Sequence, residues 1–398
     1  MSQKIETFAK VVVDSKELKN ALGFVKHSLN KNSIGYTDSC FFFEFGMDGL
    51  TLVASDFRSS TRTILETQVI DGLNAGNIYL SNAILSFIGL VDHQPITIEL
   101  CGKLTSVASE LLKYIKVTTD TGVYQFESPV PHIVESNYKV FENKKVVCQI
   151  HSYELLDGFA FASAAKKQDN SDEEIKGNVC LRLTKKKFSV TATDGFRIHR
   201  YSSKHDSDEV KEGTYLIDGK AVTILTNFLK RNGDSVVSIK TADNFFILLN
   251  EKDEILIRLY DAKYPDTDSI YSKLTPAEYK TTITANIQHL KATLSRIGIF
   301  KDELKQCKVV IQPEHGGIEV CDLQGKSREV VVADVSAGAS EMEIRFNIDH
   351  FQNALNVIDG EEVLIRLKDD KSFAHLTNIG FEFKEDALLV PFQNIERV

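Results

Sequence analysis

The sequence predicts an α+β fold repeated about three times in tandem, and three observations carry that expectation. Alternation of apolar and polar residues, the mark of half-buried strands, outnumbers helical periodicity along the 398 residues. A strand running into an amphipathic helix recurs, starting at Phe8, Lys145 and Lys280. Each recurrence is followed by a strand, a turn and a second strand carrying an acid and then an arginine. Such self-similarity over a long period is the signature of repeated units.

The elements can be justified in order. In the first recurrence Leu18, Leu22, Val25 and Leu29 fall on one helical face, with Asp14 or Ser15 as N-cap. In the third, Ile287, Leu290, Leu294 and Ile297 do the same. The acids of the strand–turn–strand units are Asp56, Asp194 and Asp322. In a repeat, an acid at a turn is best explained by turn geometry. A second strand–helix–strand unit then starts near Asn77, Gly213 and Met342. The segments expected are 1–138, 139–276 and 277–398, with polar, turn-rich boundaries close to prolines. Leu104–Lys116 reads as a helix-like insertion, and 166–176 as a polar, mobile loop.

The middle copy is the most informative stretch. Phe188, Val190 and Ala192 alternate with polar partners, Thr193-Asp194-Gly195 is turn chemistry, and a second strand leaves from Phe196 to Tyr201. His199 is expected on the surface.

Composition narrows the function classes. A net charge of −9 argues against a simple cationic nucleic-acid binder, although it says nothing of how charge is distributed. Six cysteines are scattered without a CxxC pair, as expected of buried free thiols in a reducing compartment. The N-terminus lacks an apolar signal core and no apolar run approaches a membrane span, so a cytoplasmic protein is expected. No phosphate-binding loop, zinc-protease, nucleophile-elbow or dinucleotide motif occurs. Neither catalytic residues nor a metal or cofactor are expected.

Four stretches in register then resemble one family. VTATDGFRIHR (Val190–Arg200) looks like the ATDGHRLA segment of the bacterial DNA sliding clamps, the β subunits of DNA polymerase III. Arg258–Tyr271 is similar to their strand entering a Phe/Tyr-Pro-Asp turn, and Glu341–Ile358 and the terminal Leu388–Phe392 match in pattern and order. The resemblance implies three tandem DNA-clamp domains, with two chains closing head to tail into a ring around duplex DNA. The chain would then be a processivity factor that tethers the replicative polymerase, the clamp loader and repair factors through short peptide motifs. Three copies in one chain argue for a homodimer rather than a trimer of two-domain chains. A divergent bacterial chain and a phage-encoded one fit equally.

Carried over by residue, the partner-peptide pocket comprises Thr193, Gly195, Phe196, Arg197, Ile198, Pro265, Ile270, Leu388, Val390 and Pro391. Phe196 stands where the family usually has His, and the tail from Gln393 to Val398 is longer than usual. Ile299 and Phe300 would either seal the dimer interface or end the core of the last segment. DNA contact is assigned to Lys19, Lys26, Lys31, Lys166, Lys167, Lys220, Lys230, Arg231, Lys291 and Arg296. The candidate helices carry few acids, although the whole chain has 56 acidic residues against 47 basic ones. That segregation suits attraction to phosphates without base readout. The same charges also suit a solvated helix face. An alternative from another class is a DNA-processing enzyme with an acid-based metal site, in which Asp194 would be essential.

Overall fold

A computed structural model describes residues 5–30, 37–47, 49–71, 76–104, 111–130, 138, 141, 144–166, 177–204, 210–300, 303–312, 317–336, 339, 341–381 and 384–392. The first sequence segment forms β1 (Ile5–Asp14), α1 (Ser15–Val25), β2 (Phe41–Gly46), β3 (Gly49–Ser55), β4 (Ser59–Leu65), β5 (Gln68–Asp71), β6 (Gly76–Leu80), α2 (Ala83–Ile88), β7 (Pro95–Leu104), β8 (Leu111–Thr119) and β9 (Gly122–Glu127). The second forms β10 (Lys145–His151), α3 (Ser152–Ser163), β11 (Val179–Leu183), β12 (Lys187–Thr193), β13 (Arg197–Lys204), β14 (Gly213–Ile217), α4 (Val222–Asn232), β15 (Val236–Ala242), β16 (Phe245–Leu249), β17 (Asp253–Arg258) and the short α5 (Thr267–Ser272). The third forms β18 (Thr281–Asn286), α6 (Ile287–Ile297), β19 (Gln306–Gln312), β20 (Gly317–Cys321), β21 (Arg328–Val335), β22 (Met342–Asn347), α7 (Ile348–Val357), β23 (Glu362–Leu367), β24 (Ala374–Asn378) and β25 (Lys384–Leu389). The expected α+β architecture is present, with antiparallel sheets throughout.

The chain divides into two compact units, Met1–Ser152 with Thr223–Leu259, and Tyr153–Val222 with Tyr260–Val398. Both cut through the expected middle segment, so these units differ from the three repeats read in the sequence. In the first unit the described strands form a sheet in the order β5-β1-β7-β8-β9 and another in the order β10-β15-β16-β17-β4-β3-β2-β6. Asp14 caps α1 by accepting from the Lys16 and Glu17 amides, and Leu18, Leu22 and Val25 are fully buried. The helix ends at Val25, so Leu29 lies beyond it. Phe24 of α1 packs on Phe228 of α4, with ring centroids 6.4 Å apart.

The stretch Leu104–Lys116 is corrected by the structure. Leu104 ends β7 and Leu111–Lys116 opens β8, which pairs with β7 on one side and β9 on the other. Ile115 and Val117 alternate into the core. The stretch reads as helix-like locally, but pairing on both edges decided for strand in its described residues.

In the second unit the described strands form one sheet in the order β14-β11-β12-β13-β25-β24-β23-β18-β21-β20-β19-β22. Ile287, Leu290, Leu294 and Ile297 of α6 are buried, as their spacing predicts. Helix α3 lies close on β12 and β13, because Gly158 leaves no room to spare. A Cβ there would stand 2.9 Å from Val190 Cγ2 and 3.0 Å from Tyr201 Cδ1. His199 is therefore wholly buried rather than on the surface. Alternation along β13 turns it inward, against Phe161 of α3, and burial pulls its imidazole down to about 3. All six cysteines are buried and free. The loop 166–176 lies, after Lys166, outside the described residues.

One buried carboxyl makes this unit sensitive to pH. Burial pushes Glu385 up to about 8, and the neighbouring Asp359 and Asp157 carboxyls add to the rise, although the Asp359 amide donates to Glu385 Oε2 at 2.7 Å. Asp157 is itself raised by burial and by Asp359 and Glu154. Between the ordinary carboxylate range and about 8, the folded chain holds a proton that the unfolded chain has released. Stability contributed by this group is therefore full at acid pH and is lost as pH rises through about 8. Glu385→Gln should flatten that decline and raise Tm by several degrees at pH 8.5, with little change at pH 5, in calorimetry across pH.

Candidate functional site

The surface that gathers most of the predicted pocket residues is built on the β12–β13 hairpin. Asp194 organises the turn. Its Oδ1 accepts from the Phe196 amide at 2.9 Å and the Arg197 amide at 3.1 Å, while Oδ2 takes the Arg197 Nε at 2.9 Å. Thr193 Oγ1 donates to the Arg197 carbonyl at 2.7 Å, and Gly195 sits at φ 91°, where a side chain would strain the backbone. Asp56 and Asp322 play the same part in their own turns, each accepting from amides two to five residues ahead.

Beyond the turn, β13 pairs with β25 in a register that sets Ile198 against Leu388 and Arg200 against Asp386. The Val390 amide extends the ladder to the Phe196 carbonyl at 3.0 Å. Helix α5 is pinned over this face. Its N-cap Asp266 accepts from the Ser269 amide, Tyr271 donates to the Asp386 carbonyl at 3.2 Å, and the Arg200 guanidinium stacks 3.9 Å over the Tyr271 ring. Arg200 also donates to Thr267 at 2.9 Å and pairs with Asp268 at 2.8 Å.

Between α5, the turn after it and β25 lies a cavity of about 330 Å³, whose walls include Ile270, Leu274, Tyr279, Phe373, Val390 and Pro391. Three predicted pocket residues, Ile270, Val390 and Pro391, thus line one apolar cavity. Leu388 and Ile198 are buried in register beside it, and Pro265 is exposed just before α5. Thr193, Gly195 and Phe196 form the turn, where Phe196 is 63% exposed and its ring lies 6.4 Å from that of His350. Arg197 is not brought to the cavity. It is buried on the opposite face, tied to Asp194. The sequence reading does not include Leu274 and Tyr279, which stand in the polar boundary around residue 276, nor Phe373, which no local pattern marks.

Beneath the cavity runs a buried hydrogen-bonded chain. Tyr279 Oη meets His375 Nδ1 at 2.7 Å, and His375 Nε2 meets Asp386 Oδ1 at 2.7 Å. Burial pushes the Asp386 carboxyl up, but bonds from His375 and Lys384 outweigh it and hold the group below its usual range. Asp194 spends both oxygens on its turn, which leaves it poorly placed as a metal ligand.

The predicted basic residues divide into two kinds. Lys26 caps the end of α1 and Lys230 lies in the last turn of α4, two helices in contact through Phe24 and Phe228, and both lysines are exposed. Lys220 is exposed, Lys291 half-buried, and Lys19 reaches the Gly89 carbonyl at 3.2 Å. The others serve the fold. Arg231 pairs with Asp253 at 2.8 Å and lies over Phe24, and Arg296 clamps Glu329, which is held down to about 2. Lys166 donates to the Gly219 carbonyl at 2.8 Å, and burial lowers its amine. Lys31 and Lys167 lie outside the described residues. Ile299 and Phe300 stand in a short turn after α6, 78% and 44% exposed, so they do not close a core. Among the described residues no helix is long and apolar enough to cross a membrane.

With this geometry in hand, comparison with known proteins is informative. A family described as "DNA polymerase III beta subunit, C-terminal domain" matches residues 272–388. The beta sliding clamp of Bacillus subtilis is 28% identical over 218 residues, which take in 51% of this chain and 56% of that protein. The matched stretch thus spans little more than half of that relative. The beta sliding clamp of Helicobacter pylori is 21% identical over 372 residues, 91% of this chain and 92% of its own. In fold, the crystal structure of the Bacillus subtilis DNA polymerase sliding clamp superposes with a TM-score of 0.81 at 18% identity, covering 97% of this chain and all of that one. The matched C-terminal segment supplies Leu274, Tyr279 and Phe373 to the cavity wall and ends at Leu388 beside it. Residues 272–388 thus match the C-terminal domain of the DNA polymerase III beta subunits, and the chain has the fold of the bacterial DNA sliding clamps.

Proposed function

We propose that this chain is the processivity factor of a DNA polymerase. Two copies join head to tail into a ring around duplex DNA, and partners dock on it by short peptides with an apolar anchor. Each chain contributes three clamp domains, 1–138, 139–276 and 277–398, and its role is non-catalytic. The observation that carries the reading is the cavity between α5 and β25. It is apolar, open at the surface, and walled by the segment that matches the clamp family. A concave apolar site with few polar groups suits a Leu or Phe side chain arriving on a flexible tail. The polymerase, the clamp loader and repair factors are the proposed partners, in the cytoplasm. The competing reading, a metal-dependent DNA-processing enzyme centred on Asp194, is disfavoured by the commitment of that carboxylate to its turn.

Fluorescence polarisation with a Gln-Leu-x-Leu-Phe peptide tests the docking site directly. Ile270→Arg places a charge in the cavity wall without emptying the core, and affinity should fall by at least tenfold, about 1.4 kcal/mol. An unchanged affinity would remove the cavity from the function.

The DNA-facing assignment rests on Lys26 and Lys230, which are exposed on adjoining helix ends. The double variant Lys26→Glu/Lys230→Glu should shorten synthesis per loading event and weaken retention on nicked circular DNA, most visibly at moderate salt. Full processivity in that variant would place these lysines elsewhere than against DNA.

Ring closure is assigned to Ile299 and Phe300, large apolar side chains left exposed. Ile299→Asp/Phe300→Asp should shift the mass measured by analytical ultracentrifugation from dimer to monomer while the far-ultraviolet dichroism stays the same. A dimer that persists would assign these residues to some other contact.

A further inference from the structure

The sheet face that carries the apolar cavity continues into a second one of different character. Alternation along β13 puts Ile198, Arg200, Ser202 and Lys204 on this face. The pairing register sets Leu388 beside Ile198, Asp386 beside Arg200, Lys384 beside Ser202 and Lys187 beside Lys204. Along the strands from the turn, an apolar pair is followed by an Arg–Asp level and then by three lysines. A cavity of about 310 Å³ opens over that end, lined by Lys187, Arg200, Lys204, Tyr271, Lys384 and Asp386 among others. Leu274 lines both cavities and forms their shared wall.

The second cavity carries an excess of positive charge that the fold does not neutralise. Arg200 is only 7% exposed and is held in place by Thr267, Asp268 and the Tyr271 ring. Asp268 is shared with Arg182, and Asp386 is shared between His375 and Lys384. Lys187 and Lys204 are exposed, and among the described residues neither has a carboxylate at ion-pair distance. Lys273, Lys368 and Lys371 add basic groups to the rim of the first cavity. In a chain of net charge −9, a basic face of this kind is a local departure from the average.

We propose that the partner peptide taken by this clamp is acidic beside its anchor. Its apolar side chain fills the first cavity and its carboxylates, carried about four residues away, reach Lys187, Lys204 and Lys384 in the second. The spacing follows from the strands, since an extended peptide advances about 3.3 Å per residue, as they do, and Ser202 stands four positions from Ile198. The inference rests on the docking function proposed above and specifies the chemistry of the partner. A nucleic-acid backbone is the other polyanion that a basic cavity attracts. The shared Leu274 wall favours the peptide, because it makes the basic site continuous with an apolar one.

The test is fluorescence polarisation at low and high salt with the full chain. The probes are a Gln-Leu-x-Leu-Phe peptide flanked by glutamines, the same anchor with three glutamates centred four residues to its N-terminal or C-terminal side, and an acidic peptide whose anchor is replaced by alanines. The proteins are wild type and Lys187→Ala/Lys204→Ala, which alters only exposed side chains. One of the acidic anchored peptides should bind about tenfold tighter than the neutral one at 50 mM salt, and the gap should close near 1 M salt as the Debye length shrinks to about 3 Å. The double variant should lose the gap and keep its affinity for the neutral peptide. Equal affinity for neutral and acidic anchored peptides would overturn the acidic-partner inference and leave docking intact. A gap that survives in the double variant would overturn it as well. Binding of the anchorless acidic peptide as tightly as the anchored one would deny that the two cavities act together, and displacement of the acidic flank by a short DNA duplex would reassign the lysines to phosphate. No binding by any anchored peptide would overturn the docking function itself.

Discussion

The pairing of β13 with β25 is the constraint on which the surface depends. Six residue pairs from Arg197–Leu389 to Ser202–Lys384 join the hairpin of the middle segment to β25, the last strand among the described residues. The register is exacting, because a slip by one residue would exchange every inward side chain for an outward one. It keeps Ile198 and Leu388 together beneath the apolar cavity, and it keeps Lys187, Lys204 and Lys384 together beyond it. The Asp194 carboxylate fixes where this register starts, since it holds the turn from which β13 departs.

Helix α5 completes the surface by lying across that face rather than continuing the sheet. Only one turn and a half long, it has little stability of its own. What holds it are side chains that reach into the sheet: Tyr271 to the Asp386 carbonyl, Thr267 and Asp268 to Arg200. Arg200 therefore supports both cavities, through its stack on Tyr271 and through its charge. The same economy governs the helices assigned to DNA. Arg231 and Arg296 are drawn into ion pairs that brace the fold, whereas Lys26 and Lys230 remain open to solvent.

Much of this was legible in the sequence where one periodicity dominates. The buried faces of α1 and α6 follow from the spacing of Leu18, Leu22 and Val25 and of Ile287, Leu290, Leu294 and Ile297. The recurring Asp56, Asp194 and Asp322 were read as turn formers, and each does accept amide hydrogens in its turn. The failures share a cause, which is that tertiary context overrode a local pattern. Leu104–Lys116 reads as helix-like, yet its described residues, Leu104 and Leu111–Lys116, belong to strands, with 105–110 outside the described residues. His199 is polar and sits on a strand, yet the close approach of α3 at Gly158 encloses it. Residues 272–279 have the composition of a linker, and only their packing against Phe373 and Val390 makes Leu274 and Tyr279 part of a cavity. Nothing in local sequence reports that proximity.

The pairing of β4 with β17 has a consequence for how the chain is made. Thr63 Oγ1 donates to Asp253 Oδ1 at 2.6 Å across 190 residues of sequence. At roughly 5–20 residues per second of synthesis, β4 leaves the ribosome on the order of 10–40 s before its partner exists. During that interval β3 covers one side of it, while the other side is an unpaired edge open to pairing with other nascent chains. Its sequence, Ser59-Ser60-Thr61-Arg62-Thr63-Ile64-Leu65, begins with five polar residues, so the waiting edge offers little of the apolar surface on which aggregating strands zip together. The serine and threonine hydroxyls that keep the nascent edge from sticking are later enclosed, and Ser28, Ser55, Asp56 and Asp253 supply their hydrogen bonds.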